Sequence, residues 1–193
     1  VSESDYELND FSGIIHSPFG DFDPLKDPMP LGPENLYDSS ALLRTGLVIV
    51  QSNSVDMTDL IDLIDFYEYP IIDTIPDSAL IVRLPIEDIF SSISVLEKSP
   101  SVRWVEGLPI AWRVSPNLVD FSGRGGFSLD LDLTITPDLE INELSQLESD
   151  MARISDSSIT RNVCDIYLCQ IKGIDATWLP VLAMDDRILS IDK

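Results

Sequence analysis

The chain has 193 residues, of which 34 are acidic and 12 are basic, so its formal net charge is −22 and its pI is near 4.1. Because 44% of the residues are hydrophobic, the composition excludes an intrinsically disordered acidic tail, a class with high charge and few apolar groups. The 12 cations are spread along the chain, so we expect neither nucleic acid nor an anionic membrane surface as a partner.

No apolar run approaches the roughly 20 residues needed to cross a bilayer, so no membrane span is expected. Val1 begins a polar stretch instead of a charged and then apolar segment. We therefore expect that any signal peptide has already been removed.

The single histidine argues against a catalytic centre. His16 has no serine or cysteine motif beside it, and no CxxC spacing is present. A nucleophilic triad is therefore not expected, and two cysteines with one histidine cannot form a zinc site without carboxylates. We predict no enzymatic activity and no cofactor in this chain.

The two cysteines are predicted to be free thiols. Cys164 and Cys169 lie five positions apart in one predicted strand, so their side chains would point to opposite faces. Residues 165–168 contain no evident turn, so we expect partly buried, unbridged thiols. A disulfide is the alternative, and it would agree with secretion.

Residues 1–45 are predicted to form an extended arm. They contain much of the proline, including Pro24, Pro28 and Pro33, and proline disfavours helices and central strands. The aromatic residues of the arm indicate that it lies along a folded surface.

Residues 46–114 are predicted to form a first ferredoxin-like module. The expected order is strand 47–52, helix 58–68, strands 71–75 and 79–84, a second helix from Pro85 to about 99, and strand 102–106. This is the split βαβ order of an α+β fold, in which an antiparallel sheet has helices on one face.

The same order is predicted again in residues 127–193, after a Gly- and Ser-rich linker at 115–126. The expected elements are strand 129–135, a helix from Ile141 to about Asp150, strands 153–160 and 163–171, a short helix beginning near Leu179, and strand 188–192. The sequence therefore predicts two tandem modules after the arm.

Three stretches of the first module resemble a known family: residues 47–51, the hairpin at 75–83, and Val-Arg-Trp-Val-Glu at 102–106. They are similar to the prosegments of subtilisin-like serine proteases (peptidase S8), especially those of long secreted microbial members. The resemblance covers residues 46–114 and, to a lesser extent, 127–193.

This resemblance implies a non-catalytic, extracellular or cell-surface protein. Such a prosegment acts as an intramolecular chaperone and inhibitor by docking its sheet on the cognate catalytic domain in cis. None of the subtilisin-like catalytic signatures occurs in this sequence, so any peptidase activity would lie outside this chain.

Matched acidic residues end the last strand of each predicted module, Glu106 and Asp192. Carboxylates there suit the N-termini of partner helices, although solvated strand ends are the alternative. Trp104 and Trp112 are candidate interface anchors, because tryptophan is enriched at binding hot spots, but core packing is the default for Trp104. The predicted partner-binding residues are Trp104, Glu106, Trp112, Ile191 and Asp192.

Calcium binding is possible but is not expected. Asp130 and Asp132, with Asp21 and Asp23, offer oxygen ligands for calcium, but their spacing is not that of an EF-hand.

The alternative function is a tandem ferredoxin-like protein-binding module of a secreted acidic protein, unrelated to proteolysis. It stays open because fold alone does not choose between these functions.

Overall fold

Two four-stranded antiparallel sheets form the framework of this α+β protein. The computed structural model describes residues 11–76, 78–155, 163–165 and 167–193. In each sheet the first strand of the unit lies in the interior, between the third and the fourth. This order is consistent with ferredoxin-like folds in general.

The elements of the first part are α1 (Ala41–Thr45), β1 (Leu47–Ser52), α2 (Thr58–Phe66), β2 (Ile71–Ile75), β3 (Ala79–Arg83), α3 (Ile89–Glu97) and β4 (Val102–Gly107). The first sheet has the order β2-β3-β1-β4, with every neighbouring pair antiparallel. The helix α2 has one apolar face, on which Leu60 and Ile64 are fully buried.

The second sheet has the order β6-β7-β5-β8. Pro180 lies in the first turn of its short last helix, where a missing N–H costs nothing. The elements are α4 (Pro116–Val119), β5 (Ser128–Ile135), α5 (Ile141–Ile154), β6 (Val163–Cys164), β7 (Leu168–Asp175), α6 (Leu179–Ala183) and β8 (Ile188–Asp192).

The strand β1 is buried on both faces, since all six of its residues are buried. Val48 and Val50 pack in a cluster with α2 and α3, whereas Leu47 and Ile49 belong to a second cluster on the opposite side of the sheet. An antiparallel sheet normally leaves one face to water, so the first sheet has an additional cover.

The core under the second sheet includes residues from outside the predicted second module. Its cluster contains Leu131 and Leu133 of β5 together with Leu36, Ile110 and Leu118. The segment 115–126, predicted to be a flexible linker, contains α4, and Leu118 of that helix is fully buried. This segment is therefore packed against the core.

The predicted extended arm also contains helical turns. Residues Glu34–Leu36 form a 3-10 turn, and α1 follows before Gly46. Gly46 has φ 65°, and a Cβ there would lie 2.5 Å from the Leu84 carbonyl oxygen. Glycine is required at this position for two reasons. It ends α1 in a left-handed conformation, and it leaves room for the backbone of Leu84, the residue that follows β3.

The first two residues of one predicted strand of the second unit belong instead to a helix. Arg153 and Ile154, placed in a strand at 153–160, form the last turn of α5. Residues 156–160 lie outside the described part of the chain.

The predicted single strand 163–171 is wrong, because the chain turns between β6 and β7. The Asp165 carboxylate accepts hydrogen bonds from the backbone N–H groups of Tyr167 and Leu168, each at 2.8 Å, and these bonds hold the pKa of Asp165 below its usual value. The aspartate thus supplies the turn chemistry that the sequence analysis missed.

The prediction of free thiols is wrong for the same reason. The turn makes Cys164 and Cys169 cross-strand partners, and the two are joined by a disulfide. Residues that face one another across an antiparallel pair lie close enough to be bridged.

Candidate functional site

The face of each sheet opposite its helices is here called the outer face. The resemblance to prosegments implies docking through a sheet, so the outer faces are the candidate functional surfaces. The two differ in chemistry and in accessibility.

The outer face of the first sheet is apolar and covered. It includes Leu47 and Ile49 of β1 and Ile81 of β3, which are 0%, 0% and 8% exposed. Its cover is the segment 11–31, here called the strap, from which Ile15 and Phe22 are buried in the same cluster. This apolar surface is therefore closed to solvent by the chain itself.

Aromatic side chains fasten the strap. The Phe22 ring lies edge-on to both Trp104 and Trp112, with centroids 5.9 Å and 6.0 Å apart, a favourable arrangement for aromatic pairs. The Trp112 indole N–H donates a hydrogen bond of 2.7 Å to the Pro30 carbonyl oxygen. Phe22 thus occupies a notch formed by two tryptophans.

A buried ion pair lies beside this notch. The Arg103 guanidinium donates to an Asp23 carboxylate oxygen at 2.6 Å, to the Gly13 carbonyl at 2.8 Å and to Gln51 at 2.7 Å. The Lys26 ammonium lies 2.7 Å from the other Asp23 oxygen. Hydrogen bonds from Lys26 and Arg103 hold the pKa of Asp23 well below its usual range.

The outer face of the second sheet is polar and largely accessible. Asp130, Gln170, Lys172 and Asp192 are exposed on it. The Gln170 side-chain amide donates to Asp132 at 2.9 Å. At the β8 side, Leu189 and Ser190 line a cavity of about 370 Å³ together with Trp112 and His16, so this edge of the face adjoins the strap.

The two halves are joined by arginines from the first. Arg83 donates hydrogen bonds to the Asp138 carboxylate and to the Asp186 carbonyl oxygen. Arg113 donates to the carbonyl oxygens of Ala183 and Asp185, and both of its hydrogen bonds are 2.6 Å long. Burial lowers the pKa of Arg113 to about 10, so its guanidinium stays protonated at neutral pH. The junction consists of specific charged and hydrogen-bonded contacts.

The five predicted partner-binding residues occupy different surroundings. Trp104 and Trp112 are half-buried and meet on Phe22. Ile191 is 1% exposed in the second core, where it faces Leu133.

The two predicted acidic residues are exposed, and they lie in different sheets. Glu106 is near the end of β4, and its carboxylate accepts a hydrogen bond of 3.1 Å from the Gly107 N–H. Asp192 faces Asp132 across the β5–β8 pair.

No sequence pattern predicted Arg103 as a binding residue. Phe22 was expected to be one of the aromatic residues with which the arm lies along a folded surface, and Asp23 was expected to be a possible calcium ligand. Asp23 is instead 3% exposed and paired with Arg103. Phe22 and Asp23 are adjacent in the proline-rich stretch, but Arg103, the partner of Asp23, lies 80 positions away.

Comparisons with known proteins found no match to a family model, a curated protein or a solved structure. Within the described residues, no helix has the length and apolar character needed to cross a bilayer. The same part of the chain contains no group of three or more histidine, cysteine or acidic side chains arranged to hold a metal ion. The functional proposal therefore depends on the chemistry of the two outer faces.

Proposed function

We propose that the chain is a non-catalytic, prosegment-like region of a secreted subtilisin-like serine protease. In this proposal two tandem ferredoxin-like modules, 46–114 and 127–193, follow a proline-rich arm and act as intramolecular chaperone and inhibitor. The cognate catalytic domain is bound in cis. The observation that supports the proposal most is the second sheet, with the strand order β6-β7-β5-β8, helices on one face and an accessible outer face.

The second sheet is the better docking surface of the two. The strap already covers Leu47 and Ile49 of the first sheet, so a protease would have to remove it before docking there. The second outer face instead presents the carboxylates of Asp130 and Asp192 to solvent. Carboxylates are favoured at helix N-termini, where backbone N–H groups are unpaired and the helix dipole is positive.

Of the predicted partner-binding residues, Asp192 lies on the proposed docking surface. Asp132 lies opposite Asp192 on the same surface and is added to the proposed binding residues. In the proposal Trp104 and Trp112 act indirectly by holding the strap, and Ile191 acts by supporting β8 from the core.

The test is inhibition of a panel of subtilisin-like proteases by the full chain. We expect slow, tight inhibition by the wild type. The charge reversal Asp132→Arg on the outer face should weaken inhibition by roughly tenfold or more, because like charge at an interface removes complementarity. The matched control Glu148→Arg makes the same charge change at an exposed position of α5 and should inhibit as the wild type does.

Two results would contradict the proposal. Rapid digestion of a folded wild-type chain without inhibition would favour the alternative, a protein-binding module unrelated to proteolysis. Equal inhibition by all three chains would show that the second outer face is not the docking surface.

A further inference from the structure

The strap contacts the first sheet as a bound peptide would. Its backbone forms one short bridge within itself, between Ile15 and Phe22. Among the described residues, no backbone–backbone hydrogen bond joins the strap to a strand of the sheet. The strap is therefore not an additional strand, and side chains of the sheet and of the segment after β4 hold it in place.

Three features of the surface recognise the strap. The apolar base of Leu47, Ile49 and Ile81 packs against the cluster that contains Ile15 and Phe22. The notch between the two tryptophans accepts the Phe22 ring. The Arg103 guanidinium, whose side chain is 12% exposed, neutralises the adjacent carboxylate of Asp23.

Two neighbouring strap residues thus occupy two chemically distinct subsites. Phe22 fills an aromatic subsite, and Asp23 fills a cationic one. Gly13 adds a backbone contact, because its carbonyl accepts hydrogen bonds from both Gln51 and Arg103. An aromatic side chain followed directly by a carboxylate is therefore the pattern that this surface selects.

We propose that the outer face of the first sheet is a peptide-binding site for extended segments in which an aromatic residue is followed directly by aspartate. The strap is the ligand of this site in cis, and a partner protein that presents a segment of the same chemistry can replace it. The inference goes beyond the proposed function and does not depend on it, since it concerns the other sheet and a different partner.

The cis ligand has a kinetic and thermodynamic advantage over any segment in trans. A tethered ligand is present at an effective concentration on the order of millimolar. The wild-type site is therefore closed to micromolar peptide. A partner replaces the strap where its own segment reaches a comparable effective concentration, or where the strap is weakened.

The test uses the full chain and a fluorescent peptide with the sequence of residues 11–31. The opened variant Phe22→Ala/Asp23→Asn weakens the cis ligand without changing the site. We expect the opened variant to bind the peptide, as measured by fluorescence anisotropy, and the wild type not to bind it at micromolar concentration.

A second peptide tests the cationic subsite. A peptide with Asp23→Asn should bind the opened variant about tenfold or more weakly, because hydrogen bonds between charged groups contribute more than neutral ones. Adding Arg103→Met to the opened variant should remove this preference, so that both peptides bind with equal affinity. A general loss of apolar packing would not change the preference in this way.

The inference is overturned if the folded opened variant, verified by circular dichroism, binds neither peptide or binds both equally. It is also overturned if the wild type binds the peptide as well as the opened variant does. If the double variant does not fold, Asp23→Asn alone replaces it and should show the same selectivity at higher peptide concentration.

Discussion

The two sheets share one strand order and differ on their outer faces. In the first sheet Ile49 pairs with Ile81, and in the second the corresponding pair is Asp132 with Gln170. The first pair is buried under the strap, whereas Gln170 is exposed. One topology therefore supports both a sheet covered on two faces and a sheet covered on one.

The central strands already show this difference in the sequence. The strand β1 begins with four consecutive apolar residues, Leu-Val-Ile-Val, whereas β5 alternates leucine with aspartate in Leu-Asp-Leu-Asp-Leu. Alternation is typical of an antiparallel sheet with one solvated face, and an unbroken apolar run indicates burial on both faces. The lesson is that the central strand of a small sheet predicts whether a second cover is needed.

The largest expected effect is at the strap. Phe22→Ala should lower the free energy of unfolding by about 3 to 5 kcal/mol, as large-to-small changes at buried aromatic residues do. Phe90→Ala is the matched control, because Phe90 is 67% exposed on α3. Urea denaturation measures both, and equal losses would mean that the strap does not bury Phe22.

The central pairs provide a direct contrast between the faces. Ile81→Ala should cost about 2 to 5 kcal/mol through loss of buried apolar contacts. Gln170→Ala, at the corresponding position of the second sheet, should change stability by no more than about 0.5 kcal/mol, because it removes an exposed contact. Similar losses in the two variants, compared by thermal and urea unfolding, would show that the second outer face is also covered.

The disulfide should stabilise the protein through the β6–β7 pair of the second sheet. Replacing Cys164 and Cys169 by serine should cost about 2 kcal/mol, the chain-entropy value for so short a loop. In a Trp178→Phe background, the fluorescence of Trp104 and Trp112 should be unchanged in the folded variant. A change in that fluorescence would mean that the environment of the strap depends on the disulfide.

Acidification should lower the free energy of unfolding by a smaller amount. The pKa of Asp23 is depressed in the folded protein, so its pairing stabilises the fold at neutral pH and loses this contribution as pH falls below about 4, where the unfolded carboxyl takes up its proton first. The charged groups that contact this carboxylate are Arg103 and Lys26, and the Asp27 carboxylate accepts a hydrogen bond from the Asp23 N–H.

The comparison chain for this prediction is Asp23→Asn. It should be less stable than the wild type at pH 7, and the difference should shrink as the solution is acidified from about pH 5 to pH 2. Parallel stability curves over that range would contradict the role of the Asp23 carboxylate.

Much of the fold follows from local sequence patterns. The apolar run of β1, the i, i+3, i+4 spacing of α2 and the position of Pro180 in α6 each determine an element without long-range information. The β6–β7 hairpin was missed because its turn depends on a single aspartate, Asp165, that hydrogen-bonds two backbone groups. The strand-like pattern of residues continues through this turn, so the pattern alone does not reveal the turn.

The functional surfaces were harder to predict. Trp104 and Trp112 were identified by residue type, but both face Phe22 of the same chain. Ile191 was predicted to bind a partner, but it lies in the core between exposed Asp192 and half-buried Ser190 of β8. The pairing of Asp23 with Arg103 joins positions 80 apart, which no local pattern predicts.

The strap closes the outer face of the first sheet through Phe22 and its neighbours. The most direct measurement is an isotope-edited nuclear Overhauser spectrum of the full chain. We expect cross-peaks from the Phe22 ring to the indoles of both Trp104 and Trp112. We also expect slow exchange of the Trp112 indole N–H, because it donates a hydrogen bond to the Pro30 carbonyl oxygen. Absence of these cross-peaks, with random-coil chemical shifts over residues 11–31, would contradict it.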